Sequence, residues 1–279
     1  MTFSIVARQG EAYGVAVASK FLAVGAVVPG ARLATGAVAT QSYARVAYLG
    51  ELLARLGAGQ DAASALDEAT ALDEGRETRQ VGVVGTASAA TFTGRECNPW
   101  AGGVARDDGD TAYAIQGNIL TGPEVVAAME EAWHASAGQG LARRLLAALV
   151  AGDAAGGDSR GRQSAAMYAV EPGAGYDASG VLADLRVDDH ADPVTELGRL
   201  LDEWEMYFGT PEDVQPLVGP LADEVADRLA RAGHPVGDGG APDLPTALAD
   251  WAGNANYEAR LSPDGIDRRV LEALRAATT

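Results

Sequence analysis

The chain has 279 residues and 47% hydrophobic content, enough to close a large packed core, while 39 acidic against 21 basic residues leave a net charge of −18 that repels nucleic acid and anionic membrane surfaces. A single cysteine, Cys97, excludes an intrachain disulfide framework and a thiolate metal cluster and fits a reducing compartment. No basic leader followed by an apolar stretch opens the sequence, and no run of about 20 apolar residues occurs, so the expectation is a cytoplasmic protein, neither exported nor membrane-spanning.

Thr2 to Lys20 reads as two runs of Val, Ile and aromatic residues around a polar turn at Gly10, a β-hairpin that begins at the second residue. Phe21 to Pro29 leads through Gly30 to a short β-like run, Gly36–Gln41. Two helical patterns follow. Val46, Leu49, Leu52, Leu53 and Leu56 share one face and stop at Gly57, and a second pattern starts at Asp61, a fair N-cap, and carries Ala65, Leu66, Ala69 and Leu72. Strand signals return at Gln80–Val84, Ala90–Thr93 and Thr111–Gln116. A second helix pair opens with Pro123 as an N1 residue and is striped by Val125, Val126, Met129 and Trp133, then by Leu141, Leu145, Leu146 and Leu149. A Gly-rich loop, Gly152 to Gly161, feeds strands at Ser164–Val170 and Val181–Val187.

Paired helices between runs of strands do not give the strict alternation of a doubly wound sheet. They suit two sheets packed face to face with a helical hairpin outside each, a four-layer αββα sandwich. From Pro193 a further helix carries Val194, Leu197, Leu200, Leu201, Trp204 and Phe208, and beyond it lie three short helical patterns, at Leu217–Ala232, Leu244–Trp251 and Ile266–Ala277, the first two separated by a Gly- and Pro-rich loop from His234 to Pro242. Residues 1–208 therefore read as one αββα domain and 209–279 as a small helical module.

Met1 is followed by Thr, small enough for the initiator methionine normally to be trimmed, which leaves Thr2 at the head of the first strand. A free N-terminal Thr carries a hydroxyl nucleophile and its own α-amine as base. The amine titrates near pH ~8, so a modest downward shift makes it a neutral base at physiological pH. Lys20, the only lysine of the chain, ends the second strand, and a cation beside Thr2 favours the neutral amine.

Six motifs in order, Thr2–Ala7, Gly14–Gly25, Gln80–Val84, Ala114–Asn118, Gly156–Ala165 and Leu185–His190, resemble the family called domain of unknown function 1028 over roughly residues 1 to 208. That family is placed in the N-terminal-nucleophile (Ntn) hydrolase superfamily. The resemblance implies an αββα sandwich with the nucleophile starting the first strand. Thr2 is then the expected nucleophile, with Lys20 and Asn118 as catalytic partners and Asn118 a donor to a developing oxyanion. Gln41, Ser42, Gln116, Gly117, Asp158, Arg160, Arg162 and Ser164 fall where relatives line the substrate site, and an Arg there could hold a substrate carboxylate. The tail, with Met206–Gly209 and Asn256–Leu261, is similar to a module to which peptidoglycan binding is ascribed.

The expected function is Ntn-type cleavage of a small amide or peptide-like C–N bond, with no cofactor and no metal, in a homo-oligomer as is common in the superfamily. The alternative is a non-catalytic protein of the same fold that binds cell-wall fragments through its tail. Other constellations weigh less. In a strand Asp188 and His190 share a face while Asp189 points away, and the segment better serves as a turn before Pro193. Cys97 reads as a small buried hydrophobe, and the Gly156–Gly161 loop lacks the Gly-Lys-Ser/Thr ending of a phosphate cradle. Three of the four tryptophans fit apolar helix stripes, so core packing is the favoured reading, and Trp251 in the tail is the one to test for stacking on a glycan.

Overall fold

The computed structural model describes residues 2–237 and 241–279, so Met1 and part of the His234–Pro242 loop lie outside the described residues. The chain divides into two compact units, Met1–Leu201 and Asp202–Thr279, and the division falls inside a helix.

In chain order the first unit runs β1 (Thr2–Gln9), β2 (Ala12–Ser19), β3 (Pro29–Arg32), β4 (Gly36–Ser42), α1 (Ala47–Gly57), α2 (Ala62–Ala71), β5 (Arg79–Val84), β6 (Ala89–Thr93), β7 (Gly102–Asp107), β8 (Thr111–Asn118), α3 (Glu124–Ala135), α4 (Leu141–Ala154), β9 (Ser164–Val170), β10 (Val181–Val187) and α5 (Pro193–Phe208), whose last turns belong to the second unit. The strands form two antiparallel sheets, ordered β10-β9-β2-β1-β8-β7 and β3-β4-β5-β6. They pack face to face, with β1 and β2 against β4 and β8 against β5 and β6. Helices α1 and α2 cover the four-stranded sheet, and α3 and α4 cover the six-stranded one, so the architecture is the four-layer αββα sandwich that the element order implies. Asp61 caps α2 by accepting the Ser64 N–H at 3.0 Å.

Two strands, β3 and β7, appear where the sequence reads as connection. Both are edge strands. Their sequences, Pro-Gly-Ala-Arg and Gly-Gly-Val-Ala-Arg-Asp, carry the Gly, Pro and charge that blunt a sheet edge and erase the alternation a buried strand displays.

Strand β1 is the hub, paired with β2 on one side and β8 on the other. Its alternation fixes the site. Phe3 faces outward beneath α4, close to Gly152, whereas Ser4 and Val6 point between the sheets, Ser4 onto Gln41 and Val6 into the Val/Ala core.

In the second unit, α6 (Pro220–Arg231), α7 (Leu244–Asn254) and α8 (Arg268–Ala277) close around Val225, Leu229, Leu248, Val270, Leu271 and Leu274. Asp267, fully buried, caps α8 through Val270 N–H at 3.1 Å and pairs with Arg260 at 3.0 Å. Trp251 packs into this core at 8% exposure, edge-on to Tyr257, so it offers no open face to a glycan ring. Its helical spacing had the same explanation as the Leu residues around it.

Candidate active site

Register puts Thr2 opposite Ser19 on one neighbour and opposite Asn118 on the other. Its Oγ1 lies 3.1 Å from Ser19 Oγ, and the residue is 6% exposed. It opens onto a cavity of about 580 Å³ whose wall includes Ser19, Gln41, Ser42, Asn118 and Arg160.

Behind Thr2 the two sheets are joined by side-chain amides. Gln41 Nε2 donates to Gln80 Oε1 at 2.8 Å and to the Thr2 carbonyl at 3.2 Å, while its Oε1 accepts from Ser4 Oγ at 2.7 Å. Gln116 Nε2 donates to Ser4 Oγ at 2.7 Å, and Gln80 Nε2 donates to the Gly117 carbonyl at 2.7 Å. Asn118 Nδ2 donates to Gln80 Oε1 at 3.0 Å. All of these residues are buried, and each buried amide left unpaired would cost about 1–3 kcal/mol, so the network is held as a unit. Gly82 makes room for it: a Cβ there would come within 2.2 Å of Gln116 Oε1.

The front of the cavity is held from outside. Ser42 sits in the left-handed region, φ 69°, at the end of β4. The next carbonyl, Tyr43, accepts from Arg79 Nη1 at 2.6 Å, and Arg79 Nε donates to Asp73 at 2.9 Å. This bond to Arg79, aided by Tyr48 Oη at 2.8 Å, draws the Asp73 carboxyl down to about 2. Burial first, and then the hydrogen bond to Asp73 and its charge, push the Tyr48 phenol up.

The residues singled out from sequence thus separate. Thr2, Gln41, Ser42, Asn118 and Arg160 line one cavity. Gln116 and Gly117 stand behind it, in the amide network and its backbone. Asp158 anchors the neighbouring loop, accepting Lys20 N–H at 2.7 Å and Arg160 N–H at 2.9 Å. Ser164 fixes the turn after β2, donating to the Phe21 carbonyl and accepting Val24 N–H at 3.1 Å. Arg162 turns to Asp153 at 2.8 Å. Lys20 is exposed, and its Nζ donates to the Arg162 carbonyl at 3.2 Å. Ser19 takes the inward position beside Thr2, so strand alternation sends Lys20 away from the cavity wall.

Sequence reasoning missed Ser19, Arg79, Asn98 and the apolar wall of Phe21, Val24, Val27, Val28, Tyr43, Ala44 and Ile119. A signal existed for Ser19: a hairpin that turns at Gly10 and pairs Gln9 with Ala12 sets Thr2 opposite Ser19. None existed for Asn98, which a turn delivers. At Asp188–His190, His190 Nδ1 accepts Asp192 N–H at 3.0 Å and Asp188 pairs with Arg186, a turn before α5. Among the described residues no three His, Cys, Asp or Glu side chains gather in a way that could hold a metal. Cys97 is buried, its thiol pushed up by desolvation. Among the described residues no helix is long and apolar enough to cross a membrane.

Comparison with curated proteins finds no match. A solved structure, that of protein SPO2555 from Silicibacter pomeroyi, is 30% identical and superposes with a TM-score of 0.65, covering 80% of this chain and 92% of that one. Residues 207–274 match the family described as "Putative peptidoglycan binding domain". Residues 2–197 match the model of the family of unknown function DUF1028, to which SPO2555 is also assigned, and the chain belongs to that family.

Proposed function

We propose that the protein is an amidohydrolase of the N-terminal-nucleophile type acting on a small amide or peptide-like bond. The observation that carries this reading is the position of Thr2: a hydroxyl at the very head of the central strand, opening on a cavity of about 580 Å³ and backed by a rigid amide layer. With Met1 removed, the Thr2 α-amine takes the Oγ1 proton as Oγ1 attacks the amide carbonyl carbon. The C–N bond breaks, the proton passes to the leaving nitrogen, and water then releases the acyl group from Thr2. Asn118 is the donor best placed for the oxyanion: its side chain lies in the cavity wall, and of the two bonds its Nδ2 makes, to Gln80 Oε1 at 3.0 Å and to the Thr2 carbonyl at 3.5 Å, the longer is the one a substrate oxyanion would replace. Gln41 is spent within the network and serves to hold the Thr2 carbonyl. We place the reaction in the cytoplasm, in keeping with a single cysteine.

The test is intact mass before and after incubation with a β-lactone, alongside Thr2→Ala. The expected result is loss of Met1 and one adduct mapping to Thr2, absent from the variant. Full retention of Met1 with no adduct would overturn the reading. The match at 207–274 favours a further role for the tail, retention on cell-wall fragments. The full chain should then sediment with insoluble peptidoglycan and be released by soluble muropeptides; a chain that stays in the supernatant rejects that role.

A further inference from the structure

The second unit holds a cleft of its own, of about 510 Å³. Its lining comes from three stretches: residues 216–218 before α6, one face of α7, and residues 261–265 before α8. The first and third stretches are tied together, because Gln215 and Ile266 exchange both main-chain hydrogen bonds at 2.9 Å. Gly265, at φ 150°, allows that approach, since a Cβ there would collide with the Gln215 carbonyl. Pro216, Pro245 and Pro263 each fix a backbone angle in the lining, so the cleft is held open by stiff chain. Leu248 joins it to the core of the unit, whereas Val218, at the same cleft, is 70% exposed.

The lining is apolar with one charge. Ser262 and Asp264 are its polar side chains, and Ser262 Oγ accepts the Asp264 N–H at 3.2 Å. Asp264 is exposed, and among the described residues no side chain pairs with its carboxylate. Six arginines supply the formal positive charge of this unit, and none of them lines the cleft. Five are held by carboxylates elsewhere in the unit. The cleft therefore has a partner for an ammonium group and none for a carboxylate. It has no aromatic face for a sugar ring either, since Trp251 and Tyr257 pack on each other outside its lining.

We propose that this cleft takes the amino end of a short peptide with apolar side chains. The ammonium pairs with Asp264, and the side chains pack on Leu217, Leu248 and the prolines. A volume of about 510 Å³ suits a peptide of about three residues. A cell wall is built from glycan strands and short peptides, and the inference deepens the cell-wall reading of the tail by naming the peptide as the part held. It rests on that reading for the source of the peptide alone, and the Thr2 reading does not enter.

Full-length Thr2→Ala, chosen to exclude turnover at the first cavity, is titrated in a calorimeter with the tripeptide Leu-Ala-Leu-amide, with its N-acetylated form and with an N-acetylglucosamine tetramer. The free amine is expected to bind about threefold to fivefold tighter than the acetylated peptide, as one exposed ion pair allows, and the tetramer is expected not to bind. Adding Asp264→Asn should erase the difference between the two peptides and leave the acetylated one unchanged. Adding Ala249→Gln, which puts a longer side chain into the cleft from a partly exposed position of α7, should abolish binding of both. Both variants should keep the parent's melting temperature, and Asp264→Asn, at an exposed position, decides the matter alone if Ala249→Gln melts lower. No binding of the free peptide, equal affinity of the two peptides, a difference that survives Asp264→Asn, or binding that survives Ala249→Gln would overturn the proposal. Wild type and Ala249→Gln are then sedimented with insoluble peptidoglycan. Peptide binding in a chain that stays in the supernatant supports the cleft and rejects the cell wall as its source, whereas sedimentation unchanged by Ala249→Gln supports the tail's role and rejects the cleft as its site.

Discussion

The layer between the two sheets has two ends built by the same strands from different chemistry. At one end, Ser4, Gln41, Gln80, Gln116 and Asn118 meet through hydrogen bonds of 2.7 to 3.0 Å. A few residues along, Val6, Val15, Val17, Ala37, Ala39, Val84 and Ala114 fill the same layer with methyl groups. The apolar end needs only volume and tolerates rearrangement, whereas each amide needs its partner at one distance and one angle. Valine would stabilise the Thr2 end at least as well. The amides fix one relative position of the sheets at the place where the cavity opens, the arrangement a preorganised site requires.

The largest expected effect breaks the polar end outright. Gln80→Leu keeps the shape of the side chain but removes the acceptor shared by Gln41 and Asn118 and the donor to the Gly117 carbonyl. Three buried groups at about 1–3 kcal/mol each suggest a loss near 4 kcal/mol. Val84→Ala at the apolar end, removing two methyls from a fully buried site, should cost about 2 kcal/mol. Urea unfolding of both variants decides the matter, and a Val84→Ala loss equal to or above that of Gln80→Leu would refute the contrast.

Crowding tests the same end from the other direction. Gly82→Ala forces a methyl onto the Gln116 carboxamide and should cost about 2 kcal/mol. Because the two residues share one space, Gly82→Ala with Gln116→Ala should lose clearly less than the sum of the single losses. Strict additivity in the double-mutant cycle would place the strain elsewhere.

The first hairpin, the two helix pairs and the sandwich they imply were legible because hydrophobic periodicity and caps are local, whereas strand order and the hub position of β1 depend on pairing between distant segments. The amide layer was not legible either. In Thr2-Phe3-Ser4-Ile5, polar residues alternate with apolar ones as they do on any strand with one solvated face, yet here they face a second sheet, and nothing local tells the two situations apart. Gln41, Gln116 and Asn118 came to notice through resemblance, while Gln80, the shared acceptor of Gln41 and Asn118, lay inside a quoted motif with its role unread. Lys20 was expected at the site from its place at the end of the hairpin and Arg162 from the resemblance, and one step of alternation or one ion pair took each elsewhere.

The outer support of the cavity rim supplies a pH-dependent comparison. Asp73, held near 2 by Arg79 against an ordinary value of 3.8, contributes stability that is present above its ordinary value and lost as pH falls through about 2. Asp73→Asn should therefore cost about 1.5–2 kcal/mol at neutral pH, with the gap from wild type constant above about pH 5 and closing toward pH 2. The amide layer has no group that titrates there, so the deficit of Gln80→Leu should stay level over the same range. Thermal melts across pH compare them, and a gap for Asp73→Asn that does not narrow in acid removes Asp73 as the source.

The smallest expected effect on stability falls on the residue with the largest expected effect on chemistry. Thr2→Val keeps two branches on Cβ and gives up one hydroxyl, whose partner Ser19 Oγ at 3.1 Å stands at the wall of a cavity where water can replace it. The loss should stay below about 1 kcal/mol, because no amide of the network depends on Thr2 Oγ1; they use its carbonyl, which valine retains. Thr2→Ser should leave stability and labelling by the β-lactone largely intact, and Thr2→Val should be inert to the probe at nearly wild-type melting temperature. A Thr2→Val protein that unfolds as readily as Gln80→Leu would make the hydroxyl a structural member of the polar end. A stable but unlabelled one separates the two roles, with the amides holding the sheets in place and the threonine left over for the substrate.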